Sequence, residues 1–332
     1  MTTVDPAVDR AVLPAPRGPL SAAVLDALRG APPAVGLPAR VDAEPYGEDL
    51  QLALHVCYEL HYQGFAGVSD EWEWDPELLR FRAALERVFL DALRADVPGG
   101  ADVEGVLDEL LVEPVDGVGV SHFLKDEGEW WQMREYLVLR SIYHLKEADP
   151  HAWVIPRLRG TAKAALVAVE FDEFGGGRGD RMHSQLFANL LDGAELDHGY
   201  LHYLEHAPAV ALATVNLMSL CGLHRSLRGS LVGHFAAAEI TTAPSATRMA
   251  KALQGMGAHP DCVEFFTEHI EADAVHEQVM RRDVIGDLLD REPELAESVV
   301  FGVQATELLE QRLGEHLLGA WRKGQTALRL PL

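Results

Sequence analysis

No apolar run in this chain reaches the roughly 18 to 20 residues that a membrane-spanning helix needs, so no membrane partner is expected. The opening stretch, MTTVDPAVDRAVLPAPRGPL, lacks the apolar core of a signal peptide and reads as a flexible leader rich in Pro and Ala. Basic residues are scarce: 28 Lys and Arg stand against 52 Asp and Glu, for a net charge of −24. That balance argues against nucleic acid or an anionic lipid surface as a partner. Cysteine is nearly absent. Cys57, Cys221 and Cys262 show no metal-binding spacing, and at least one stays unpaired in a monomer, which points to the cytoplasm. A phosphate-binding loop is missing too, because GGGRG at 175–179 lacks the closing Lys-Ser/Thr and follows no strand. Strand-like alternation is rare, and neither an internal repeat nor a coiled-coil heptad is present.

What is there suits a helical globule. The 332 residues are 48% hydrophobic with a mean hydropathy of −0.02, enough for a substantial core. The pattern predicts an all-α chain in three parts: a leader and short helix over 1–48, a helical N-terminal extension over 49–115, and a main domain over 116–332. Helices are expected at 21–29, 50–62, 76–96 (Pro76 in the first turn), 101–111, 130–145, 158–174, 181–190, 200–227, 231–238 and onward, 244–256, 260–289 and 293–321. The loop VEPVDGVGV at 112–120 marks a seam.

The most informative stretch is His269-Ile-Glu-Ala-Asp273-Ala-Val-His276. At about 100° per residue, positions i, i+4 and i+7 of a helix fall within about 60° of one another. Two imidazoles and a carboxylate therefore leave one helix in one direction, a nitrogen and oxygen donor set suited to iron, manganese or zinc. One helix supplies only part of a dinuclear shell, so other donors are sought. Glu239 sits among small residues in GHFAAAEITTA, where an acid is costly to bury unless paired or metal-bound. Glu173 and His183 flank three consecutive glycines, which would break the helix and let two residues ten apart face one point.

This constellation resembles the haem-oxygenase-like diiron oxidase and oxygenase family. Its pattern is a Glu and a His near one helix break, a Glu on a second core helix, and His-x-x-x-Asp-x-x-His on a third. Here these are Glu173 and His183, Glu239, and His269, Asp273 and His276, with 30 residues from Glu239 to His269. The resemblance covers residues from about 130 to 290 and implies a haem-oxygenase-like helical bundle. It implies two nonhaem iron ions, dioxygen as cosubstrate and oxidation of a small organic molecule. Glu147, 26 residues before Glu173, matches an extra carboxylate of the N-oxygenating branch, which favours N-oxygenation of an amine. Desaturation or C–C cleavage of an amino or fatty acid are the other outcomes the family implies. It also implies a homodimer. With no flavin or iron–sulfur motif present, electrons would come from an external donor or from the substrate. His144 and His151 are read as neighbours of the ligands or as surface residues. Phe171, Phe187, Phe235, Phe265 and Phe266 are candidates for an apolar lining.

Competing motifs point elsewhere. His202-Tyr-Leu-Glu205-His206 matches the inverted zinc-peptidase pattern, and on a helix His202 and His206 would share a face. The match is short in a chain with 15 histidines and reads better as surface, but a zinc peptidase remains an alternative. His55, Glu59 and His61 lie close in sequence, yet His61 would face away, so they read as a packed helix of the extension. Ferritin-like bundles require two Glu-x-x-His motifs, and Glu195-Leu-Asp-His198 stands alone. A noncatalytic helical interaction protein is the third alternative, and it predicts no stoichiometric metal.

Overall fold

The computed structural model describes residues 10–112 and 117–332, without the side chains of 271–275. The first nine residues of the leader and part of the expected seam lie outside the described residues. Among those described there are helices, turns and loops but no strand, and the all-α expectation holds.

The N-terminal part comprises α1 (Pro19–Leu28), α2 (Glu48–Glu59), α3 (Pro76–Asp96) and α4 (Val103–Leu110). Helix α3 shows why these residues fold as they do. Asp75 caps it by accepting from the Leu78 N–H, Pro76 occupies the first turn, and Leu78, Phe81, Leu85, Phe89 and Leu93 form one buried face at helical spacing. Then follow α5 (Val120–Asp126), α6 (Trp130–His144), the single turn α7 (Asp149–Ala152), α8 (Gly160–Glu173) and α9 (His183–Gly193). The last group is α10 (Ala209–Leu223), α11 (Arg228–Gly255), α12 (Pro260–Gln278), a π-helical turn over Val279–Gly286, α13 (Asp287–Arg291) and α14 (Ala296–Trp321).

Helix α10 is apolar on nearly every face because it is buried on nearly every face, between α2, α14, α11 and α6. Helices α11, α12 and α14 pack as the heart of the bundle. The α11–α14 crossing is unusually close: a methyl group at Gly233 would fall on the Val299 carbonyl, and one at Gly302 on the Ser230 carbonyl. Only glycine lets the two backbones meet there.

Several boundaries differ from expectation: α5 is not among the expected helices, the stretch 260–289 passes from α12 through the π-helical turn into α13, and two further differences bear on the motifs. The segment 200–208 is a run of turns, and α10 begins only at Ala209. Leu201 has φ +56°, a left-handed conformation that cannot sit inside a right-handed helix. Conversely, Pro244 does not start a new helix but lies inside the continuous α11. Proline removes a ladder hydrogen bond, yet α11 runs on through it, in a helix that packs on both α12 and α14. No described helix is long and apolar enough to cross a membrane.

Candidate metal centre

Five backbone segments bring their polar groups to one buried place. Glu147 lies in the turn after α6, just before Ala148 at φ +74°. Glu173 ends α8 and His183 begins α9. The glycines between them make a tight reversal. Gly175 has φ +70°, and a Cβ there would stand 2.6 Å from the backbone of Arg181 and Met182. The reversal sets His183 Nδ1 2.9 Å from Glu173 Oε2. Glu239 comes from α11; His269 and His276 come from α12. Asp273 lies between them on α12, but its side chain is outside the described residues.

The donors fall into two groups. Glu147, His183 and His269 offer ligand atoms that all lie within 4.8 Å of one another, and so do Glu173, Glu239 and His276. All of these side chains are buried. Glu173 joins the groups, since Oε2 faces His183 of the first while Oε1 lies 3.9 Å from His276 Nδ1 of the second. Glu239 Oε2 is 3.2 Å from the same His276 nitrogen. In the first group the His183 and His269 rings are 4.3 Å apart, and His269 Nε2 lies 3.6 Å from Glu147 Oε1. His269 Nδ1 donates to the Phe265 carbonyl at 2.7 Å. That bond fixes the tautomer and turns the Nε2 lone pair toward the cluster.

The electrostatics are those of a place that needs positive charge. Burial raises the Glu239 carboxyl, with the nearby Glu173 adding to it, against an opposing hydrogen bond from His276. Burial would lower the His276 imidazole, but Glu239 outweighs it and the group is pushed up to about 9. His183 is raised likewise, burial being overcome by Glu173. Burial would raise Glu147, yet His144, with Nδ1 2.9 Å away, holds it well below the ordinary carboxylate range. In the metal-free protein, a proton on His276 thus supplies positive charge where a cation would otherwise bring it. The donor set of imidazole nitrogen and carboxylate oxygen without thiolate fits iron. Glu147 Oε2 is buried with no hydrogen-bond partner, as an oxygen reserved for a metal would be.

Some participants were missed from sequence. Asp172 Oδ2 sits 3.2 Å from His276 Nε2, on the side away from Glu239. Glu170 is buried with neither oxygen hydrogen-bonded; burial and then the Glu173 charge push it up to about 9. Its position one turn before Glu173 was the available signal. Lys146 is also buried, with Nζ 2.8 Å from Glu59 Oε2 of α2. Among the lining candidates Phe187, Phe235, Phe265 and Phe266 are buried, whereas Phe171 is 55% exposed and lies against Gly176 and Gly177 instead. His202 and His206 are not on a helix, so the zinc-peptidase geometry is absent. His206 Nδ1 bonds the Leu330 carbonyl, and Glu205 pairs with Arg329.

The profile of a family described as iron-containing redox enzymes matches residues 134–311. More than half of the chain is covered, every paired donor named above lies inside that range, and the chain belongs to this family. Its fold is therefore the haem-oxygenase-like helical bundle. The chain is also similar to a nitrosourea synthase of Streptomyces achromogenes subsp. streptozoticus, 25% identical over 177 residues. The similarity spans 53% of this chain and only 38% of that protein.

Proposed function

We propose that this oxidoreductase is a nonhaem diiron enzyme that uses dioxygen to oxidise a small organic substrate, with N-oxygenation of an amine as its reaction. The observation that carries this reading is the pair of buried donor groups joined by the two oxygens of Glu173. Glu147, His183 and His269 would hold one iron; Glu173, Glu239 and His276 the other, with Asp273 as a further donor from the same helix. Two ferrous ions, when bound, supply electrons and activate dioxygen. Glu147 supports N-oxygenation, as the carboxylate added to the shared family pattern, and the similarity to a nitrosourea synthase points the same way.

The chain's own residues do the rest. A cavity of about 500 Å³ reaches Glu147, Glu173, Glu239 and His269. Phe235, Phe265 and Phe266 line it and keep water from the reacting atoms. His144 holds Glu147 in place, and the Phe265 carbonyl holds His269. Converting N–H to N–OH places one oxygen atom of dioxygen in product and releases the other as water. That balance takes two electrons and two protons from an external donor.

The test is anaerobic loading with ferrous iron, followed by metal analysis and exposure to oxygen. Two irons per chain are expected, with a transient visible absorbance on oxygenation that is lost in Asp273→Ala. Negligible iron binding would refute the reading.

A further inference from the structure

The cavity also carries histidines that the proposed iron chemistry does not use. His234 lies on α11 five residues before Glu239, about 7.5 Å along the helix axis at 1.5 Å per residue. It is 1% exposed, and its Nδ1 stands 2.7 Å from Thr306 Oγ1 of α14. Thr306 has a single hydroxyl proton, and that proton is committed: Oγ1 donates to the Gly302 carbonyl at 2.7 Å. Oγ1 therefore meets His234 as an acceptor, and Nδ1 must carry the imidazole proton. Burial pushes His234 down to about 4, so the ring is neutral and Nε2 is a lone pair. That nitrogen is buried with no protein hydrogen-bond partner, in a residue that lines the cavity together with the metal-site carboxylates.

His151 repeats the pattern beside it. Its ring centre is 5.3 Å from that of His234, and it stacks on Phe235 at 4.1 Å and 14°. It too is 1% exposed, and neither ring nitrogen has a hydrogen-bond partner. Burial, then the neighbouring His234, keeps it neutral. Of the charged groups lining the cavity, Arg140 and Glu310 are spent on one another through two hydrogen bonds, Nη1 to Oε1 at 2.9 Å and Nη2 to Oε2 at 2.6 Å. What the wall offers a guest is therefore an oriented acceptor. Burying an acceptor without a donor is costly, and a guest bringing an N–H or O–H recovers that cost.

We propose that His234, held in one tautomer by Thr306 and seconded by His151, is a specificity subsite that receives an N–H or O–H donor of the substrate and rejects a carboxylate. The subsite places that donor several ångströms from the atom to be oxidised. Its role in turnover rests on the diiron reading, but the tautomer lock does not require a metal.

The test is nitrogen-15 NMR of histidine-labelled, metal-free protein, titrated separately with n-butylguanidinium, 1-pentanol and pentanoate. The free protein is expected to show His234 protonated on Nδ1. The Nε2 resonance should move with butylguanidinium, with pentanol or with both, and stay still with pentanoate; which donor acts tells an amine-type headgroup from a hydroxyl. Thr306→Val, which preserves shape but removes the acceptor, should weaken donor binding about five- to tenfold. An Nε2–H tautomer in the free protein, a larger response to pentanoate than to either donor, or no response to either donor would overturn the proposal. Iron stoichiometry on the same sample separates the two ideas. Two irons with the wrong tautomer sinks the subsite alone; no iron with the lock intact sinks the diiron reading alone.

Discussion

Glu59→Gln should unfold this protein more easily and, on the diiron reading proposed above, weaken one of the two metal sites. Glu59 and Lys146 are buried at 0% and 2% exposure, with Nζ and Oε2 2.8 Å apart. Tyr200 donates its hydroxyl to the other Glu59 oxygen at 2.7 Å, and Lys146 lies over the Tyr62 ring. At that separation and an effective dielectric of about 20, the attraction is about 6 kcal/mol. The amide keeps the shape and still accepts from Tyr200, but leaves a buried ammonium without its hydrogen-bonded counter-charge, with Asp149 the other carboxyl acting on it. After relaxation, removal of one partner of a buried pair costs about 3–5 kcal/mol. That is a large fraction of a typical folding stability of about 5–15 kcal/mol. Lys146 directly precedes Glu147, so the strain falls first on the donor group that contains Glu147. Urea denaturation measures the first effect and iron stoichiometry the second, with a fall from two irons toward one expected. The double variant Glu59→Gln, Lys146→Met should recover most of the lost stability, because no unpaired charge is left. A loss below about 1 kcal/mol in the single variant, or a double variant no better than the single, would refute the argument.

Two other outcomes follow from the same geometry. Glu170 holds its proton in the fold up to about pH 9 against an ordinary value of 4.5, so the folded state binds the extra proton between those limits. Stability of the metal-free protein should therefore fall as pH rises through that window, by at most about 1.4 kcal/mol per pH unit for one proton. Glu170→Gln should flatten the slope in denaturation curves taken from pH 5 to about 9, and an unchanged slope would remove Glu170 as its source. Gly175→Ala forces a left-handed residue against the Arg181–Met182 backbone. It should cost about 1–3 kcal/mol and part His183 from Glu173, seen as a lower melting temperature and weaker binding of one iron; wild-type values for both would show that the reversal tolerates a side chain.

The sequence was most legible where chemistry and helix geometry coincide. His269 and His276 sit seven residues apart on an unbroken helical pattern, so their shared face followed from the period alone. The three glycines announced a break, and the break does bring Glu173 to His183. Legibility failed where local pattern and tertiary context disagree. The apolar stretch before Leu223 looked like a helix from Tyr200 onward, but the left-handed Leu201 forbids it, and the zinc-peptidase motif loses its geometry with the helix. Pro244 looked like a helix start and lies inside α11, which packs on α12 and α14. Phe171 carries the same side chain as Phe187 and faces out.

By itself the sequence determined the helical class, the donor types and the register of each donor on its own segment, because these depend on composition, period and local turn chemistry. Only the tertiary structure decided which donors meet. It made Glu173 the link between the two groups, set Glu59 against Lys146 across 87 positions of chain, and aimed the His234 lone pair through a threonine 72 residues away. Those pairings arise from close packing of helices that the backbone brings together, and no local period encodes them.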